Sequence, residues 1–347
     1  MDTKIFKVDP LNIDREAISA CADIIRSGGL VAFPTETVYG LGADATDKGA
    51  AAKIYAAKGR PSDNPLIIHI ADPSDAEKYA HTCELYYKLA SAFMPGPLTV
   101  IMPKKSIIPN EVTGGLDSVA VRCPAHPIAR ELISAAGVAI AAPSANISGS
   151  PSPTCGEHVI ADMNTKIDAI IDGGSAEIGL ESTIVKIDGD KVIMLRPGAI
   201  TADALGCVCA QVEIAAAVTK VLAANERPLS PGMKYRHYAP ASPLVLLDGE
   251  REDVEAFLIN AQKNENCALL CYSEELDILQ KVNIIDIGSR DDLGAQAQRL
   301  FGALRDADTF GADIIYAHLP VQSGLGLALY NRLIRAAAHT VKKVKKI

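Results

Sequence analysis

Between residues 12 and 27 apolar side chains recur at helical spacing, and the run stops at Gly28-Gly29, where a helix takes its C-terminal glycine. Leu30 to Phe33 follows at once as an apolar strand. The alternation continues. Apolar runs at 66–70, 98–102, 119–122, 138–141 and 169–171 predict buried strands, with helical spacing at about 48–57, 74–92 and 127–136 between the earlier ones. Thr183 to Ile187 and Val192 to Leu195 read as a hairpin through Asp188-Gly189-Asp190. Together they predict an α/β domain with a twisted mixed sheet over residues 1–210. From Pro243 the pattern resets. Strands at 244–247, 268–272, 284–287 and 314–317 alternate with helices at 251–263, 292–306 and 326–340, which predicts a small parallel sheet covered by helices over residues 243–347. Residues 211–242 between them read as an ordered linker, because Pro228, Pro231, Pro240 and Pro243 exclude a continuous helix.

Composition narrows the function classes. The 347 residues are 48% hydrophobic and 22% charged, as in a globular protein, and 34 basic against 42 acidic side chains leave a net charge of −8. An acidic chain without Trp is a poor general coat for nucleic acid, so any anion site must be local. No apolar stretch approaches the roughly 18 residues of a membrane span. The eight cysteines are scattered behind no secretory leader, so reduced thiols and a cytoplasmic location are expected. The closest pairs, Cys207/Cys209 and Cys267/Cys271, lack histidines at zinc-site spacing, so no metal site is expected there.

Polar residues cluster where the apolar strands stop, which is where ligands sit in α/β sheets. After Phe33 come Pro34-Thr35-Glu36-Thr37-Val38-Tyr39-Gly40-Leu41-Gly42. Further on, Lys58-Gly59-Arg60-Pro61-Ser62-Asp63-Asn64-Pro65 sets two cations around one glycine, able to bracket a polyphosphate or, alternatively, to cap a solvated helix end. No P-loop signature occurs, so any ATP is held by cations and hydroxyls. His69 and Arg122 lie in strands, and a cation at a strand tip suits a substrate carboxylate. Ala141 to Pro153 is built of small residues, hydroxyls and one amide, so a ligand can approach the backbone closely. Glu181-Ser182-Thr183, Arg196-Pro197-Gly198 and Ser230 to Pro240 repeat the theme.

In order and spacing these segments resemble the threonylcarbamoyl-AMP synthase family in its two-domain form. The match rests on Pro34 to Gly42, on Lys58-Gly59-Arg60 and Ser144-Ala145-Asn146 as the K-x-R and S-x-N signatures, and on Glu181-Ser182-Thr183, Leu195 to Gly198 and Pro231 to Pro240. It covers nearly the whole chain. The resemblance implies a YrdC-like catalytic domain over 1–210, a linker acting as a lid over the active site at 211–242, and a small Rossmann-like domain at 243–347. It further implies that L-threonine, bicarbonate and ATP become L-threonylcarbamoyl-adenylate and diphosphate, a nucleotidyltransferase reaction that supplies threonylcarbamoyl-adenosine to tRNA. Under it Thr35, Thr37, His69, Arg122, Ala142 through its backbone, and Ser182 hold threonine. ATP falls to Lys58, Arg60, Asn64, Ser118, Ser144, Asn146, Ser152, Arg196 and Tyr235, with Lys58 and Arg60 the catalytic cations. Mg2+ enters with ATP, which supplies most of its ligands. The further partners it implies are tRNA and a tRNA-modifying transferase.

Two other readings are open to the sequence. A non-catalytic binder of double-stranded RNA or tRNA would use a local basic surface such as Lys342, Lys343, Lys345 and Lys346, against the overall charge of −8. Carbamoyl transfer in hydrogenase maturation uses a related domain, but the cysteine spacing supplies no zinc finger of the kind that accompanies it.

Overall fold

A computed structural model describes residues 2–219, 237–280 and 282–345. They group into two compact units, 2–148 with 152–219, and 149–151 with 237–345. Tyr235 and most of the proline-rich linker lie outside the described residues.

The first unit holds eleven strands. They are β1 Lys4–Lys7, β2 Val31–Phe33, β3 Gly40–Asp44, β4 Ile67–His69, β5 Leu98–Pro103, β6 Ser118–Arg122, β7 Ile140–Ala141, β8 Ala169–Asp172, β9 Thr183–Asp188, β10 Lys191–Arg196 and β11 Val212–Ile214. Their order across the sheet is β1-β8-β2-β3-β7-β4-β6-β5-β9-β10-β11. Parallel and antiparallel pairs mix: β4 runs parallel to β6, while β5 and β6 run antiparallel. Apolar side chains on the faces of this sheet are buried, Ile68, Val100 and Val121 fully, under the helices Lys48–Lys58 and Glu84–Phe93 on one side and Arg15–Arg26 and Pro127–Ala136 on the other. The first of the latter pair begins at Arg15 because the Asp14 carboxylate accepts the Glu16 and Ala17 amides.

Several expectations are corrected. The helical pattern over 74–92 is broken: a 3-10 turn Pro73–Asp75 and a short helix Ala76–Tyr79 precede Glu84–Phe93. The break occurs because Ala80 and His81 pair with the end of β5 instead. Val212–Ile214, placed in the linker from the sequence, is the edge strand of this sheet, paired in parallel with β10.

The second unit is a five-stranded, wholly parallel sheet of β12 Leu244–Asp248, β13 Cys267–Cys271, β14 Ile284–Asp286, β15 Ile314–His318 and β16 Val341–Lys343, ordered β14-β13-β15-β12-β16. Its last helix stops at Ala336 rather than 340, since Ala338 and His339 adopt positive φ and turn the chain into β16.

Candidate active site

The turn after β2 is tied by its own side chains. The Thr35 hydroxyl donates to the Val38 carbonyl at 2.6 Å, accepts the Val38 amide at 3.2 Å and lies 2.8 Å from the Thr37 hydroxyl. The carbonyls of Glu36 and Thr37 accept the amides of Ile178 and Gly179, which latches this turn to the segment leading into Glu181-Ser182-Thr183.

From that turn the Glu36 carboxylate reaches Arg122 at the end of β6. Its Oε1 lies 2.7 Å from Arg122 Nη2, with both residues buried at 5% and 4% exposure. The approach is out of line with the N–H bonds, so both Glu36 oxygens and Arg122 Nε and Nη2 are buried without a hydrogen-bond partner. Parallel register pairs Arg122 with His69 on β4, and antiparallel register pairs it with Thr99 on β5. The Thr99 hydroxyl lies 2.7 Å from the Ser182 hydroxyl, and Arg196 donates through Nε to the Ser182 carbonyl at 3.0 Å and through Nη2 to its hydroxyl at 3.2 Å. A continuous row of polar side chains thus runs from His69 through Arg122, Thr99 and Ser182 to Arg196. Gly198 allows the last turn to close: a Cβ there would stand 2.6 Å from the Thr183 amide nitrogen and 2.8 Å from the Glu181 carbonyl.

His69 is neutral. Burial first, and the Arg122 charge second, push its imidazole down to about 3. Its Nδ1 lies 3.3 Å from the Ile140 carbonyl, an acceptor that favours the proton on Nδ1.

A second group gathers around Lys58. Gly59 caps the helix Lys48–Lys58 in the left-handed region at φ 61°. The Lys58 ammonium is buried and donates to the carbonyls of Ser144 and Asn146, with Asn146 Oδ1 at 3.4 Å, so the alternative of a solvated helix end is set aside. The Ser144 hydroxyl donates to Asn146 Oδ1, and Asn146 Nδ2 donates to the Ile147 carbonyl at 2.7 Å. Arg60 donates to the carbonyls of Asn64 and Pro65, clamping that loop, while Asn64 Oδ1 is buried without a partner. The register Ile67↔Ala120 sets Ser118 level with Pro65, at the opposite end of β6 from Arg122. Four residue steps of strand separate those ends by about 13 Å. The Ser152 hydroxyl donates to the Glu181 carboxylate at 2.6 Å, joining the 144–152 loop to the Ser182 segment.

The Ala142 amide is engaged by the Ile67 carbonyl at 2.8 Å, so a ligand contact from Ala142 falls to its carbonyl oxygen. Sequence reasoning assigned no role to Glu36, Thr99 or Glu181. Thr99 could have been suspected as the one hydroxyl in the apolar run Leu98 to Met102, and Glu36 as a carboxylate beside a fully buried strand.

Buried cations, hydroxyls and amides aligned along strand ends of an α/β sheet define a site for anionic small molecules, the kind found in enzymes. Comparisons with known proteins agree. Residues 23–198 match the Sua5/YciO/YrdC family model, described as "Telomere recombination", and residues 200–338 match "Threonylcarbamoyl-AMP synthase, C-terminal domain". A threonylcarbamoyl-AMP synthase of Pyrococcus abyssi is 44% identical over 96% of this chain and 97% of its own length, and one of Bacillus subtilis is 42% identical over 96% of each. The crystal structure of Pyrococcus abyssi Sua5 complexed with L-threonine superposes with a TM-score of 0.91 at 41% identity, covering 99% of this chain and 100% of that one. Escherichia coli YciO, at 24% identity and a TM-score of 0.52 over 56% of this chain and 96% of its own, shares the fold of the first unit.

The chain belongs to the threonylcarbamoyl-AMP synthase family, and with it is an enzyme. Membership does not support the non-catalytic RNA-binding alternative. No helix among the described residues is long and apolar enough to cross a membrane.

Proposed function

We propose that this chain is a nucleotidyltransferase that condenses L-threonine, bicarbonate and ATP into L-threonylcarbamoyl-adenylate and diphosphate, for threonylcarbamoyl-adenosine in tRNA. The supporting observation is the row from His69 and Arg122 to Ser182 and Arg196, buried and contiguous, with the Lys58 group joined to it through Ser152 and Glu181. At the Arg122 end, the guanidinium receives the threonine carboxylate and Thr35, Thr37, His69, Ser182 and the Ala142 carbonyl surround the rest. Lys58, Arg60, Asn64, Ser118, Ser144, Asn146 and Ser152 receive the nucleotide, a role we also assign to Tyr235, which lies outside the described residues. Arg196, bonded to Ser182, is assigned to the nucleotide as well.

The chemistry asks for positioning and charge neutralisation. The threonine amine attacks the bicarbonate carbon, giving a carbamate and water. A carbamate oxygen then attacks the α-phosphorus as the bond to diphosphate breaks, so negative charge moves toward the leaving group. Lys58 and Arg60 are suited to follow that charge, Lys58 exchanging its loop carbonyls for more strongly accepting phosphate oxygens. No covalent nucleophile is needed. Among the described residues no cluster of three or more His, Cys, Asp or Glu side chains could cage a cation, so we assign Mg2+ to the triphosphate, where it shields phosphate charge.

Diphosphate release from ATP and bicarbonate, measured with and without L-threonine, tests the reading. Release that depends on threonine is expected, and release indifferent to it overturns the proposal. Assay of the product with a tRNA-modifying transferase and tRNA tests the downstream partners and the cytoplasmic role.

A further inference from the structure

The Glu36–Arg122 pair is unusual in what it leaves unengaged. A buried ion pair is ordinarily stabilised by hydrogen bonds that fill the remaining lone pairs and N–H groups. Here two acceptors, Glu36 Oε1 and Oε2, and two donors, Arg122 Nε and Nη2, are buried without such partners while the two charges stand 2.7 Å apart. Buried polar atoms in this condition carry a desolvation cost that a ligand can relieve.

We propose that Glu36 is the acceptor for the α-ammonium group of the amino-acid substrate, making it a specificity-determining residue that touches the substrate. The inference rests on the amino-acid reading of the Arg122 end given above. An α-amino acid carries one anionic and one cationic group on neighbouring atoms. Laid across the pair, its carboxylate meets the donors of Arg122 and its ammonium meets the oxygens of Glu36, giving an alternating array in which every charge faces its opposite.

Net charge points the same way. The Glu36–Arg122 pair sums to zero, and His69 beside Arg122 adds no charge because burial holds it neutral. A zwitterion entering leaves the sum at zero, whereas a simple carboxylate adds an uncompensated buried charge beside Glu36. His126, whose Nδ1 is also buried without a partner, is likewise held toward its neutral form by burial, and adds no opposing charge. Glu36 therefore rejects ligands that offer Arg122 a carboxylate without an amine.

Calorimetric binding of L-threonine and of its amine-free analogue 2,3-dihydroxybutanoate, to the full-length wild type and to Glu36→Gln, tests this. Wild type should bind threonine about tenfold or more tighter than the analogue, since a charge-assisted hydrogen bond is at stake, and Glu36→Gln should erase most of that ratio. Equal affinity of wild type for the two ligands overturns the proposal without any variant. So does a Glu36→Gln protein that loses both ligands equally, which makes Glu36 only a support for Arg122. ATP affinity of the variant reports whether it is folded, and Glu36→Asp, keeping the charge, should restore part of the ratio. Failure of wild type to bind threonine at all would instead sink the amino-acid site itself.

Discussion

Each unit buries a carboxylate near the carboxyl ends of its strands, and the two are treated differently. In the second unit Glu275, fully buried after β13, accepts the Tyr272 amide at 2.9 Å, lies 2.9 Å from His318 Nε2 and accepts Arg290 Nη2 at 2.9 Å. Burial alone would make this carboxyl a weaker acid, but these partners hold it below the ordinary carboxylate range. In the first unit the Glu36 carboxylate has Arg122 as its ionic neighbour and no hydrogen-bond partner among the described residues. A carboxylate with its acceptors filled is part of the scaffold. One whose acceptors are left open is prepared for something that arrives later.

The largest effect that separates them is expected at Arg122→Ala. Removing the guanidinium strands Glu36 as a buried charge, which costs about 3–5 kcal/mol in denaturant unfolding of the first unit. The same variant should raise the KM for threonine far more than that for ATP, because Arg122 stands at the end of β6 that we assign to the amino acid. Equal effects on the two KM values would remove its carboxylate role. Glu275→Gln sharpens the contrast from the other side. It keeps a hydrogen-bonding group against three donors while deleting the charge, so it should cost only about 1–3 kcal/mol, read in unfolding of the second unit. If Glu275→Gln proves the more damaging of the two, the distinction between a filled and an open carboxylate fails.

Much of this was readable from the chain. Regular apolar runs located β2, β4 to β10 and β12 to β15, because strands buried on both faces leave a hydrophobic signal that polar exposure does not dilute. Short or exposed strands escaped: Lys4–Lys7 and Val341–Lys343 are largely exposed and polar, and Gly40–Asp44 is disguised by its glycines. At the site, Arg122, Lys58 and Ser182 stood out as polar residues at strand or helix ends. Glu36 did not, because what distinguishes it is the absence of hydrogen-bond partners, a property of three-dimensional geometry. The involvement of Thr99 depends likewise on the antiparallel register that sets it beside Arg122, and that register cannot be read from spacing along the chain.

The smallest effect is a pH dependence that isolates His69. Its folded imidazole titrates at about 3 against an ordinary value of 6.5, so between those values the unfolded chain binds a proton that the folded protein does not. Stability contributed by the neutral histidine is therefore present above pH 6.5 and is lost as pH falls. From pH 7 to pH 5 the loss amounts to about 2 kcal/mol for this one group. His69→Gln removes the titration while keeping a polar side chain beside the Ile140 carbonyl, so its unfolding free energy should fall less than that of wild type over the same interval. Other acidic groups contribute equally to both proteins and cancel in the difference. Parallel stability curves for the two proteins would mean that His69 takes up its proton as readily in the fold as in the unfolded chain. The charge arrangement around Glu36 and Arg122 would then gain a cation below about pH 6.5, which would favour a simple carboxylate over a zwitterion in that range.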